Sequence, residues 1–102
     1  MILKNSELAI KINSFGAELT SILRNDIEYI WQADPKYWKR SSPVLFPIVG
    51  RLIDDEYIYN DKVFHLSQHG FARDHEFKLI SHDINNATYL LQENSETLKK
   101  YP

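Results

Sequence analysis

The chain has 102 residues, with 12 Lys and Arg against 14 Asp and Glu, a net charge of −2 and no cysteine. The length predicts one domain, and the lack of cysteine excludes disulfides, thiol catalysis and thiolate-bound metal. The near balance of charge argues against a nucleic-acid partner, and no apolar run approaches the roughly 20 residues of a membrane span. Charged residues follow Met1 too soon for a signal peptide, so we expect a cytoplasmic protein with no membrane association.

The N-terminal third of the chain shows the two-residue period of β-strands. Apolar and polar side chains alternate over residues 8–12, and a second strand is predicted over 17–23. Phe15-Gly16 lies between them, and because glycine adopts positive φ without strain, the two strands should form a hairpin. Asn25-Asp26 is a turn signal, after which residues 27–31 should form a third strand.

The middle of the chain is less regular. Asp34-Pro35 predicts a short helical turn that carries Tyr37 and Trp38, because proline is favoured at the first helical position. Pro43 and Pro47 bracket three apolar residues. Since proline cannot donate to a β-ladder, this segment should be an edge strand or an extended loop.

The C-terminal half predicts two more hairpins and a short helix. The hairpins join 57–59 to 63–66 across Asn60-Asp61, and 76–81 to 88–92 across Asn85-Asn86. Ser95 is expected to cap a helical turn that runs to Lys100. Seven or eight short strands at regular spacing predict an all-β sandwich or barrel, and function should lie on the irregular segments 38–51 and 68–74.

The first candidates for chemistry are the four histidines: His65, His69, His75 and His82. His65, His75 and His82 are expected to be solvated or partly buried strand residues, and the four-residue spacing of His65 and His69 is not on a helix, so we expect no metal site and no cofactor. His69 precedes Gly70, which lets the backbone turn sharply and a ligand approach closely. Its imidazole offers one donor and one acceptor when neutral. The local sequence leaves a binding residue and a plain turn histidine equally open.

Two arginines are the other candidates. Arg51 follows an apolar stretch and could direct its donors into a cleft, or it could pair at the surface with Asp54 or Asp55. Arg73 could form a local ion pair with Asp74 or bind an anion. The run Asp54-Asp55-Glu56 is expected to be a solvated acidic turn, since adjacent carboxylates diverge and do not form a glycosidase pair.

Taken together, two segments resemble the aldose 1-epimerase (galactose mutarotase) family: Arg40–Arg51, which reads RSSPVLFPIVGR, and His69–Arg73, which reads HGFAR. Gly16–Ile22 and Glu28–Trp31 also match, and the HGFAR form is similar to the branch of LacX-type proteins and hexose-6-phosphate epimerases. The resemblance implies an antiparallel β-sandwich of the galactose mutarotase type. Residues 1–102 would then be the N-terminal portion of a single such domain.

The family interconverts the α and β anomers of a sugar through ring opening. The resemblance therefore implies a hexose or hexose phosphate as ligand, with Arg51 and His69 in the sugar site, His69 in a catalytic position and Arg73 placed to hold a phosphate. The family's catalytic acid, a second histidine, and its base, a late glutamate, have no match among these residues. We thus expect part of an epimerase cleft that is inactive alone, or alternatively a non-catalytic carbohydrate-binding or interaction module. Exposed sheet edges would favour a homodimer.

Overall fold

Residues 2–28 form the largest sheet of the computed structural model, which describes all 102 residues. Its antiparallel strands follow one another in chain order: β1 Ile2–Lys4, β2 Ala9–Asn13, β3 Glu18–Arg24 and β4 Ile27–Glu28. The predicted β2–β3 hairpin is confirmed, with Gly16 at φ +73° in its turn. β1 was not predicted, because three residues are too few to show alternation. Its edge is partly covered where the Lys4 N–H donates to the carbonyl of Ile84 at 2.7 Å.

The third predicted strand is shorter than expected. Tyr29 still donates its N–H to the Ile22 carbonyl at 2.9 Å, but the strand ends at Glu28 instead of Trp31 because the Glu28 carboxylate, and not the Tyr29 carbonyl, accepts the Ile22 N–H at 2.9 Å. That N–H is then unavailable to a β-ladder.

Both C-terminal hairpins are confirmed. The first pairs β5 Glu56–Tyr59 with β6 Lys62–His65, and the second pairs β7 Lys78–His82 with β8 Ala87–Leu90. Short 3₁₀ turns span Ile53–Asp55 and Ala72–Asp74. The architecture is therefore all-β and antiparallel, as predicted.

The chain ends in a short helix, α1 Ser95–Lys100. The prediction that Ser95 caps this helix was wrong. Asn94 is the cap: its side chain accepts the N–H groups of Glu96 and Thr97, and the Thr97 hydroxyl accepts the Asn94 N–H. None of the helices is long and apolar enough to cross a membrane.

The turn between β2 and β3 docks on residues 73–77. The Gly16 N–H donates to the carbonyl of His75 at 2.7 Å, and the Phe77 N–H donates to Ser14 at 2.9 Å. A Cβ added at Gly16 would lie 2.8 Å from the carbonyl oxygen of Arg73. The turn therefore needs glycine for close approach as well as for its φ angle.

The molecule is flat, and its strands bury few side chains. Its dimensions are 53 × 33 × 17 Å, and only eight of 102 residues are buried. The radius of gyration is 16.4 Å, against about 13 Å for a compact chain of this length. Homodimerisation through sheet edges stays a prediction.

We expect Glu28 to make the stability of the sheet depend on pH. Its carboxylate accepts the Ser21 hydroxyl and the N–H groups of Ile22 and Ile30, and these donors, Ser21 foremost, hold its pKa below the usual value. A depressed folded pKa stabilises the fold above the unfolded pKa, and this stabilisation is lost as pH falls through the folded pKa. Glu28→Gln should lower the Tm at neutral pH and reduce its fall in acid, as followed by circular dichroism.

Glu93→Gln is the matched control, because the carboxylate of Glu93 is exposed and accepts no hydrogen bond from the protein. It should leave the Tm and its acid dependence unchanged. Equal pH profiles for wild type and Glu28→Gln would contradict the prediction.

Candidate functional site

The two motif segments meet through one backbone carbonyl. Phe46 accepts the N–H groups of Phe71 at 2.9 Å and Ala72 at 3.1 Å, and it forms a single parallel bridge with Gly70. Gly70 has φ +70°, and a Cβ there would lie 2.2 Å from the Phe46 oxygen. The segment between the two prolines is therefore an extended loop, one of the two predicted alternatives, and Gly70 lets the second motif approach it.

His69 is held by a reciprocal pair of hydrogen bonds with Gly50. Its own N–H donates to the Gly50 carbonyl at 2.8 Å, and the Gly50 N–H donates to His69 Nδ1 at 2.8 Å. Because Nδ1 accepts a backbone proton, the neutral ring carries its proton on Nε2. The imidazole is thus fixed in place and in tautomer, with Nε2–H left to donate to a ligand.

His69 and Arg73 lie together in one cleft of about 350 Å³. Its lining residues are Trp38, Pro43, Leu45, Gln68, His69 and Arg73. Trp38 is carried by the predicted helical turn, which forms when the N–H groups of Tyr37 and Trp38 donate to the carbonyl of Asp34. The wall therefore combines apolar surface with polar donors.

Arg73 is positioned without a carboxylate partner. One Nη donates to the Gln68 carbonyl at 3.0 Å, and Nε is buried with no acceptor. The local ion pair with Asp74 does not form, because Asp74 instead pairs with Arg40 at 2.9 Å. A guanidinium that no carboxylate neutralises can bind an anion.

Arg51 lies outside the residues that line the cleft. Its Nε and one Nη bind the two carboxylate oxygens of Asp55 at 2.9 and 3.2 Å, and its side chain is 66% exposed. The hydrogen bond to Asp55 raises the pKa of Arg51 above its ordinary value. The surface pair, one of the two alternatives from the sequence, is what the structure contains, and a binding role for Arg51 stays a prediction.

The other histidines lie elsewhere. His75 is mostly buried, with Nδ1 2.9 Å from the Phe71 carbonyl. His65 and His82 are exposed on strands. No three His, Asp or Glu side chains are grouped as a metal would require.

Sequence reasoning missed the residue that anchors the first motif. The carboxylate of Glu18, at the start of β3, accepts the N–H groups of Ser41 at 2.7 Å and Ser42 at 3.0 Å, and the Ser42 hydroxyl donates to the Leu19 carbonyl at 2.5 Å. The glutamate follows Gly16-Ala17 in a recognisable motif, but nothing local indicates which loop lies against it. Glu18 thereby ties the loop that leads to Phe46 to the main sheet.

The sequence of this chain is similar to those of known proteins. The sequence model of the aldose 1-epimerase family matches residues 1–102. The chain is 42% identical to the chromosomal protein LacX of Lactococcus lactis subsp. lactis, over 97% of this chain and 35% of LacX.

Two solved structures superpose on the whole chain. A galactose mutarotase related enzyme from Lactobacillus acidophilus has a TM-score of 0.98 at 46% identity, with 35% of that chain covered. A galactose mutarotase-like protein from Lactobacillus casei ATCC 334 has a TM-score of 0.96 at 38% identity, again with 35% covered. The chain therefore belongs to the aldose 1-epimerase family, and it spans about a third of the length of these relatives.

We expect Gly70→Ala to be far more damaging than Gly50→Ala. Both residues have positive φ, so each substitution costs about 1–2 kcal/mol in backbone strain. At Gly70 the new Cβ also overlaps the Phe46 carbonyl, whereas at Gly50 nothing lies within 4 Å. The loss in the free energy of unfolding at Gly70 should exceed about 3 kcal/mol, as measured by urea denaturation. Equal losses at the two positions would contradict the close contact.

Proposed function

We propose that this chain forms part of the substrate cleft of a sugar epimerase that interconverts the anomers of a hexose or hexose phosphate. Membership of the aldose 1-epimerase family supports the reaction class. The observation that carries the proposal is the pairing of His69 with Gly50 in a cleft that also contains Arg73. This geometry presents a fixed hydrogen-bond donor beside an unneutralised cation.

His69 is proposed to contact the reacting part of the sugar. Anomer interconversion requires a base at the anomeric hydroxyl and an acid at the ring oxygen. With Nδ1 occupied by Gly50, Nε2–H is the group that can donate to the ring region or a neighbouring hydroxyl. Because the ring is held before the ligand arrives, this contact needs little reorganisation on binding.

The two arginines are proposed to bind polar groups of the same ligand. The guanidinium of Arg73 has no carboxylate partner, which suits the phosphate of a hexose phosphate. Asp55 occupies Nε and one Nη of Arg51, and the other Nη remains for a sugar hydroxyl.

We expect the chain to bind hexoses without accelerating their mutarotation, because no residue among the 102 matches the acid and base of the family. Calorimetry should detect hexose or hexose 6-phosphate binding that is lost in His69→Ala, while polarimetry should show the buffer rate. His82→Ala is the control, since His82 is an exposed residue of β7 and should leave binding unchanged. An accelerated rate abolished by His69→Ala would show that the chain needs no further residues. Binding that is unaffected by His69→Ala would contradict the role of His69.

We expect Arg73→Gln to distinguish phosphorylated from free sugars. Loss of a charge-assisted contact of about 1.5–3 kcal/mol should weaken hexose 6-phosphate binding roughly 10- to 100-fold and hexose binding much less. Arg24→Gln removes an exposed arginine that pairs with Glu7 at 3.7 Å and should change neither affinity. Equal losses for both sugars in Arg73→Gln would show that Arg73 does not hold the phosphate.

A further inference from the structure

We propose that the indole of Trp38 is the platform on which a hexopyranose stacks its C–H face in the cleft beside His69 and Arg73. The inference rests on the proposed function and deepens it, because it specifies the closed six-membered ring as the form that the cleft recognises. Trp38 lines the same cleft as the two polar residues, and it is 48% exposed.

Hydrogen bonds fix the backbone of Trp38 at both its N–H and its carbonyl. Its N–H donates to the carbonyl of Asp34 at 3.0 Å, and its carbonyl accepts the indole N–H of Trp31 at 2.8 Å. An aromatic side chain of this kind has only about two χ angles to restrict, so it loses little conformational entropy when a ligand covers it. Trp38 is thus prepared for contact with a ligand.

The neighbouring aromatic residues are engaged within the protein. The ring of Trp31 packs edge-to-face on Tyr37 at 6.0 Å, in addition to its hydrogen bond to Trp38. The Nζ of Lys36 lies 5.4 Å from the centre of the Tyr37 ring. Trp38 makes no such pair with another ring or cation, so it is the aromatic side chain of this segment that the cleft leaves available.

The cleft matches the two-sided chemistry of a pyranose ring. A pyranose carries hydroxyls around its edge and C–H bonds on its faces. His69, Gln68 and Arg73 offer polar groups for the edge, whereas Trp38 supplies an aromatic face whose negative potential attracts polarised C–H bonds. An open-chain polyol has the same hydroxyls but no rigid apolar face, so the platform selects the cyclic anomers.

The two tryptophans of the chain allow a direct test by fluorescence. Trp38→Leu retains Trp31 as its one tryptophan and should show no ligand-dependent change in tryptophan emission, whereas galactose, glucose or their 6-phosphates should change the tryptophan emission of the wild type in a saturable way. Galactitol and sorbitol at the same concentrations should not. By calorimetry, Trp38→Leu should weaken binding of the cyclic sugars about 3- to 10-fold, while Trp38→Tyr should keep most of the affinity.

The outcomes separate this inference from the proposed function. If wild type binds a hexose and Trp38→Leu binds it equally, or if the tryptophan emission of the wild type stays constant while the cleft fills, the platform is wrong and the sugar site stands. If wild type binds no hexose and no hexose phosphate, both are wrong. Should Trp38→Leu fail to fold, the sugar affinity of Trp38→Tyr and the loss of the ligand-dependent change in its tryptophan emission decide the question.

Discussion

The candidate site depends on one close contact, between the carbonyl of Phe46 and the backbone at Gly70. That carbonyl accepts two N–H groups, from Phe71 and Ala72, and only a residue without a Cβ fits between it and the second motif. The Phe46 carbonyl thus both accepts the hydrogen bonds that join the two motifs and excludes a side chain at position 70. His69 follows from this contact, because the approach of the two segments puts it within reach of both backbone groups of Gly50.

Loops with little regular structure are held in this protein by buried or half-buried polar groups. Glu18 binds the N–H groups at Ser41 and Ser42, and Arg40 of the first motif pairs with Asp74, the residue that follows the second motif. Backbone groups that no β-ladder satisfies must find other partners. The cleft walls are consequently fixed by specific bonds, although only eight residues of the chain are buried.

Arg51 and Arg73 differ in their binding partners, and this difference decides which guanidinium is available to a ligand. Asp55 neutralises Arg51 through a bidentate, mostly exposed pair, which contributes modestly to stability in water. Arg73 has a carbonyl as its partner, so no carboxylate neutralises its guanidinium beside the cleft. The difference between the two depends on where the acidic residues lie, since Asp74, the neighbour of Arg73, is taken by Arg40.

The sequence by itself determined the hairpins, because the signals at Gly16, Asn25-Asp26 and Asn60-Asp61 act over a few residues and the chain has positive φ at each of them. Its motifs were also enough to identify the family. Local patterns could not show that Asn94 rather than Ser95 caps α1, or that β4 ends at Glu28, since each depends on a particular side-chain hydrogen bond. Only the tertiary structure decided which residues meet in the cleft. The meeting of Trp38, His69 and Arg73 depends on contacts between segments distant in the chain, and sequence periodicity carries no information about them.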